Sequence, residues 1–256
     1  MDYRILELSK TSLLSSVKDF LMPRVCAVCG EPLLLSERHL CLKCLCDIPL
    51  TGYENRLHNP MADAYNSHIR TCAFEPYQAA AALMVYNSFS AGSESNYGRI
   101  PRELKYFRNF SVGRHFARML GSALSRSELF KDVDAIVPVP LHWARRARRG
   151  YNQAEVIARA LAGSFPSAVV DCRLLVRSRR TRTQTRIHSA AAKTANVTGA
   201  FRVRVKGELP AYRHILIVDD VFTTGATLAS CHDALRAACG PAVRISAATL
   251  AVISTL

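Results

Sequence analysis

Residues 215–227 read Ile-Leu-Ile-Val-Asp-Asp-Val-Phe-Thr-Thr-Gly-Ala-Thr, and this run constrains the fold more than any other. From His214 to Asp219 the chain is almost continuously apolar, the pattern of a strand covered on both faces in a parallel sheet. Two carboxylates, Asp219 and Asp220, follow, then three threonines and a glycine, then a helical pattern over 226–238 closed by Cys239-Gly240-Pro241. In an open parallel sheet ligands bind beyond the carboxyl ends of the strands, so the acid pair stands at the mouth of a site. Backbone N–H groups from Phe222 to Thr227, Ala226 included, surround the helix start. They can cradle a phosphate with the help of the helix dipole. Gly225 permits close approach of the backbone. The hydroxyls of Thr223, Thr224 and Thr227 add hydrogen bonds to phosphate oxygens. Carboxylates aimed at that phosphate would repel it, so Asp219 and Asp220 suit sugar hydroxyls with a divalent cation nearby. The loop has neither the Gly-x4-Gly-Lys spacing nor Gly-x-Gly-x-x-Gly, which argues against a P-loop and against a dinucleotide site.

The remaining pattern is consistent with that strand. Residues 79–86 read as a buried strand, and 102–125 as one helix burying Leu104, Phe107, Phe116, Met119, Leu120 and Leu124. A short strand over 134–140 ends in prolines, a helix covers 152–162, and strands are expected over 168–175 and 243–253. Strand and helix in alternation predict an α/β fold, a parallel sheet with helices on both faces. The longest unbroken apolar run, Ala79 to Tyr86, is far too short to span a bilayer.

Nine cysteines without a secretory signal argue against a disulfide scaffold and for a cytoplasmic protein. Cys26-x2-Cys29 and Cys41-x2-Cys44 are two knuckles that can complete a tetrahedral sulfur site for structural Zn²⁺, with Cys46 as an alternative to Cys44 and His39 or His58 as outside candidates. The chain therefore divides into an N-terminal helix (1–23), with Leu13, Leu14, Val17, Phe20 and Leu21 as its stripe, a four-cysteine zinc-knuckle region (24–48), a turn-rich linker (49–77) and the α/β domain (78–256).

Charge is the third signal. Lys and Arg number 34 against 20 Asp and Glu, a formal net charge of +14. From Cys172 to Gly207 there are ten basic residues and no carboxylate, and Arg145, Arg146, Arg148 and Arg149 form a second cluster. Such fields attract the phosphates of a small ligand or of a nucleic acid strand. A solvated basic face is the plainer alternative.

The acid-pair run resembles the phosphoribosyl-diphosphate (PRPP) signature of type I phosphoribosyltransferases. The resemblance implies that Asp219 and Asp220 meet ribose hydroxyls, that the loop from Val221 through Thr223 to Thr227 holds the 5′-phosphate, and that Mg²⁺ arrives mainly on the ligand's diphosphate. It also implies that Val139 and Pro140 form the diphosphate loop. A mobile flap is expected over 177–196, with Arg180, Arg182, Gln184 and Lys193 near the diphosphate or a nucleic acid. Thr223 stands where purine-salvage enzymes place an Asp, which disfavours a purine acceptor. A narrower resemblance covers nearly the whole chain: the cysteine knuckles, Leu104-Lys105-Tyr106, Pro138-Val139-Pro140-Leu141-His142, Arg148-Arg149-Gly150-Tyr151-Asn152-Gln153-Ala154, Thr183-Gln184-Thr185, Asn196-Val197 and Gly199-Ala200-Phe201. This series is similar to the ComF family, phosphoribosyltransferase-like proteins linked to DNA uptake in natural competence. It implies single-stranded DNA, a competence helicase and a recombinase loader as partners.

Three functions follow. The first is a module that binds PRPP or a 5′-phosphorylated nucleotide and handles DNA. Arg145, Arg148, Arg149, Asn152 and Gln153 would contact strand or diphosphate, and Trp143 and Tyr151 would be candidates for stacking on bases. The second is an active phosphoribosyltransferase with a non-purine acceptor. The third is a zinc-knuckle adaptor for partner proteins.

Overall fold

The computed structural model describes residues 24–69, 76–86, 97–178, 199–204 and 211–253. The helix expected over 1–23 lies outside them. So do Cys72 and most of the expected flap, including Arg180, Arg182, Gln184 and Lys193.

Strands β1 (Ala80–Tyr86), β2 (Ala135–Pro138), β3 (Val169–Val170), β6 (His214–Phe222) and β7 (Arg244–Ile253) form one sheet in the order β1-β7-β6-β2-β3. Every pairing in it is parallel. The acid-bearing β6 is central, which is why His214 to Val218 are all buried. A two-stranded antiparallel pair, β4 (Leu175–Arg177) and β5 (Phe201–Val203), stands apart from this sheet.

Alternation along β6 sends its side chains into two cores. Leu216 and Val218 join a cluster with Ile100 and Leu104 of helix α3 (Arg99–Tyr106), Phe116 and Leu120 of α4 (Phe110–Leu124) and Ile157 of α6 (Gln153–Leu161). Ile215 and Ile217 join the other, with Met61 and Tyr65 of α2 (Pro60–His68) and Leu228 and Leu235 of α7 (Ala226–Cys239). Helices thus cover both faces, as the alternation of elements predicts. The cysteine knuckles and the short helix α1 (Leu42–Cys46) pack into the first cluster through Cys26, Val28, Leu40 and Cys44.

Several expectations give way to local chemistry. Where 49–77 reads as a linker, α2 is capped by Asn59, whose side chain accepts from Ala62 N at 2.9 Å and donates to Ala80 O at 3.0 Å. The single helix over 102–125 is two helices, because Arg108 takes a left-handed φ of 54° and turns the chain. Phe107 consequently faces outward, 67% exposed, rather than joining the core. The strand over 168–175 breaks at Asp171, whose carboxylate accepts the N–H groups of Arg173 and Leu174 at 2.9 Å each.

Candidate functional site

β6 delivers Asp219 and Asp220 to the carboxyl edge of the sheet, with Val139 beside them through its N–H to Val218 O at 2.9 Å. Adjacent residues of a strand leave on opposite faces, and the partners of the two acids show it. Asp220, buried, faces α3, where Lys105 Nζ stands 3.1 Å from its Oδ2. Asp219 turns one oxygen back to the N–H of Asp220 at 2.8 Å and shares its side of the sheet with Arg177 and Cys231. Burial, reinforced by the charge of Asp220, raises the Asp219 carboxyl to about 7. The charge of Asp220 also holds the Lys105 ammonium protonated against burial.

After Phe222 the chain turns through Thr223 and Thr224 to Gly225, which has φ +82° and is the N-cap of α7. No side chain caps this helix. A Cβ at Gly225 would lie 2.8 Å from Phe222 Cζ and in a backbone conformation that side chains avoid, so glycine is required twice over. Thr224 Oγ1 is buried without a hydrogen-bond partner, whereas Thr223 and Thr227 have partners. Two more buried atoms lack hydrogen bonds nearby: Asp220 Oδ2, which has only the charge contact with Lys105, and Gln153 Nε2. Such atoms at one edge of a sheet mark a place for a polar ligand or water.

Asn152 and Gln153 are buried, so neither meets a strand of nucleic acid at the surface. Asn152 instead caps α6 through Ala154 N at 3.2 Å and donates to Val139 O at 3.0 Å, fixing the loop of Val139 and Pro140. The arginines sit on α5 (Trp143–Arg149), a helix with no buried residue. Arg146 reaches Glu155 at 3.3 Å, and Arg145 lies near enough to Arg177 to oppose its charge after burial has done so. Trp143 is 74% exposed and Tyr106 61%, with the Arg149 guanidinium 5.9 Å from the Tyr106 ring. Tyr151 is structural instead: its hydroxyl donates to Leu104 O and its ring meets Phe110 edge-on at 4.7 Å.

Sequence reasoning missed two cations. Lys105 carried only a family resemblance and Arg177 only a place in a basic stretch. Nothing local ties either to the acids; α3 and the β4–β5 pair bring them there.

The sulfur atoms of Cys26, Cys29, Cys41 and Cys44 all lie within 4.8 Å of one another, and Cys29 Sγ and Cys41 Sγ are 3.7 Å apart. Four sulfurs at about 2.3 Å from a zinc ion are about 3.8 Å from each other, so the four fit Zn²⁺. Burial opposes a thiolate at Cys26, but N–H groups of Cys41, Cys29 and Val28 outweigh it and bring the thiol down to about 6. Cys46 is exposed and outside the group. His39 faces His115, with ring centroids 5.0 Å apart, and His58 lies against Tyr77 with centroids 4.4 Å apart and the rings tilted. Among the described residues there is no comparable protein cage for Mg²⁺ at the acid pair: the two carboxylates face apart and one holds a lysine.

Among the described residues no helix is long and apolar enough to cross a membrane. No protein-family model matches the chain. It is 36% identical to competence protein F of Haemophilus influenzae over 53% of this chain and 59% of that protein. It is 29% identical to DNA utilization protein YhgH of Salmonella typhi over 81% of this chain and 88% of the relative. With YhgH of Escherichia coli K12 the identity is 35%, over 50% and 55%. The chain therefore spans little more than half the length of most curated relatives it matches. These are the ComF-family homologues to which the motif series points. A solved adenine phosphoribosyl transferase of Trypanosoma brucei covers 76% of this chain, and this chain 80% of it, at 11% identity and a TM-score of 0.34.

Proposed function

We propose that this protein binds PRPP or a 5′-phosphorylated nucleotide with Mg²⁺ at the edge of β6 and acts in the cytoplasm in the handling of imported DNA. The observation that carries the ligand is the buried, unpartnered hydroxyl of Thr224 beside the uncapped start of α7. A phosphate there would accept from Thr224 and from amides that no side chain satisfies. Asp219 and Asp220 flank the strand end where ribose hydroxyls would follow, and the buried, unpartnered Nε2 of Gln153 offers a donor. Mg²⁺ would come with the diphosphate and neutralise it; the chain's own part is to orient the sugar and exclude water.

The names of the relatives support the DNA role, and α5 supplies its chemistry. Arginine side chains beside exposed Trp143, Tyr106 and Phe107 suit single-stranded DNA, whose phosphates and base faces they match. A competence helicase and a recombinase loader are the protein partners this role would bring.

Calorimetry with PRPP and Mg²⁺ tests the pocket. Wild type binds; Asp220→Asn and Gly225→Ala weaken binding at least about tenfold, a loss of roughly 1.4 kcal/mol. Equal affinity in Gly225→Ala and wild type would remove the phosphate loop from the reading.

A further inference from the structure

The site carries a cation of its own. Lys105 is the penultimate residue of α3, and three features aim it. Leu104 before it is fully buried against α4, lying under Gly113. The Tyr151 hydroxyl holds Leu104 O, which pins the last turn of the helix. The side chain then crosses to β6 and places its ammonium 3.1 Å from Asp220 Oδ2. That carboxylate is 10% exposed and the lysine side chain 33%. The contact is an ion pair in which Asp220 Oδ2 makes no hydrogen bond of good angular geometry. A long, flexible lysine holds such a contact as a point charge and can exchange it for another anion.

We propose that Lys105 is a tethered counter-ion that closes Asp220 to free divalent cations. Its ammonium takes the position at Asp220 that a metal ion would need. A divalent ion then enters only with a ligand whose phosphate oxygens give the ammonium a second anion to move to. That last step rests on the reading of the site as one for PRPP or a nucleotide; the exclusion of free metal does not. Lys105 acts here as a positioning residue, through Asp220.

The test is direct Mn²⁺ binding to the full chain, zinc in place, followed by electron paramagnetic resonance at pH 8. Wild type and Lys105→Arg show no Mn²⁺ site that depends on Asp220. Lys105→Met, which keeps length and removes charge, gains one, at least about tenfold tighter than wild type. The double variant Lys105→Met/Asp220→Asn loses that gain. A structural role for Lys105 would not produce a gain of binding. The proposal is overturned if folded Lys105→Met binds Mn²⁺ no better than wild type. It is also overturned if wild type already holds an Mn²⁺ ion that Asp220→Asn removes, an arm that stays readable should Lys105→Met not fold. Failure of wild type to bind Mg²⁺ and PRPP would sink the functional reading and leave these metal arms intact.

Discussion

Asp219 shows how one residue trades stability for a site. In the folded chain its carboxyl titrates at about 7, because burial and then Asp220 disfavour the charge. The unfolded chain releases that proton near 4. The folded state therefore binds the extra proton between those values. Its contribution to stability is full below about pH 4 and is lost as pH rises through about 7. Asp219→Asn is expected to raise Tm at pH 8 by about 2–4 °C, on the order of 1 kcal/mol, and to leave Tm unchanged near pH 4. Scanning calorimetry at the two pH values checks this. A lower Tm at pH 8 would mean that the carboxylate is satisfied in a way the fold does not show. The same variant should lose PRPP binding, since a group kept at a cost to folding is kept for its chemistry.

At the scale of elements, the cysteine knuckles are no appendage. Cys26 and Cys44 are buried in the cluster that holds Leu104, Phe116 and Ile157. Arg99 of α3 donates to Val28 O at 3.2 Å, and the Tyr97 hydroxyl to Cys44 O at 2.8 Å. Removing zinc should therefore loosen α3 and α4 as well as the knuckles. Purified protein should contain about one zinc per chain. Stripping it should lower Tm by about 4–8 °C, as a loss of roughly 2 kcal/mol does in a chain of this size. Hydrogen exchange resolves where the loosening occurs: protection lost in 24–48 alone, with α3 unchanged, would contradict the shared core. The α2 segment makes the complementary point. Its Asn59 cap and Pro60 are ordinary helix-start signals, but only Met61, Ala62 and Tyr65 are buried, too short a stripe to stand out from a turn-rich stretch.

For the whole molecule the governing quantity is the charge of +14 and where the fold puts it. α5 gathers Arg145, Arg146, Arg148 and Arg149 with Trp143, and the Arg149 guanidinium lies 5.9 Å from the Tyr106 ring. Single-stranded DNA should bind with an affinity that falls steeply with salt. Arg148→Ala/Arg149→Ala should reduce the slope of log K against log salt by about 1.4, at roughly 0.7 per phosphate. Trp143→Ala should cost about 1–3 kcal/mol with the slope unchanged, because stacking releases no counterions. Filter binding across a salt series measures both, and an affinity indifferent to salt would exclude the strand as a partner.

Some of this was legible in the residues alone. The apolar run into Asp219 and Asp220 required a central parallel strand, and the spacing of four cysteines required a common metal-sized cluster; both are local patterns whose geometry follows from backbone period and turn length. The tertiary structure decided what no local pattern reaches: that Asp219 and Asp220 face opposite cores, that Lys105 and Arg177 arrive beside them, and that Asn152 and Gln153 are buried. Those outcomes depend on which helix covers which face of the sheet. Packing energy distributed over distant apolar side chains sets that choice, so the charges of the site carry no trace of it in their own neighbourhood of sequence.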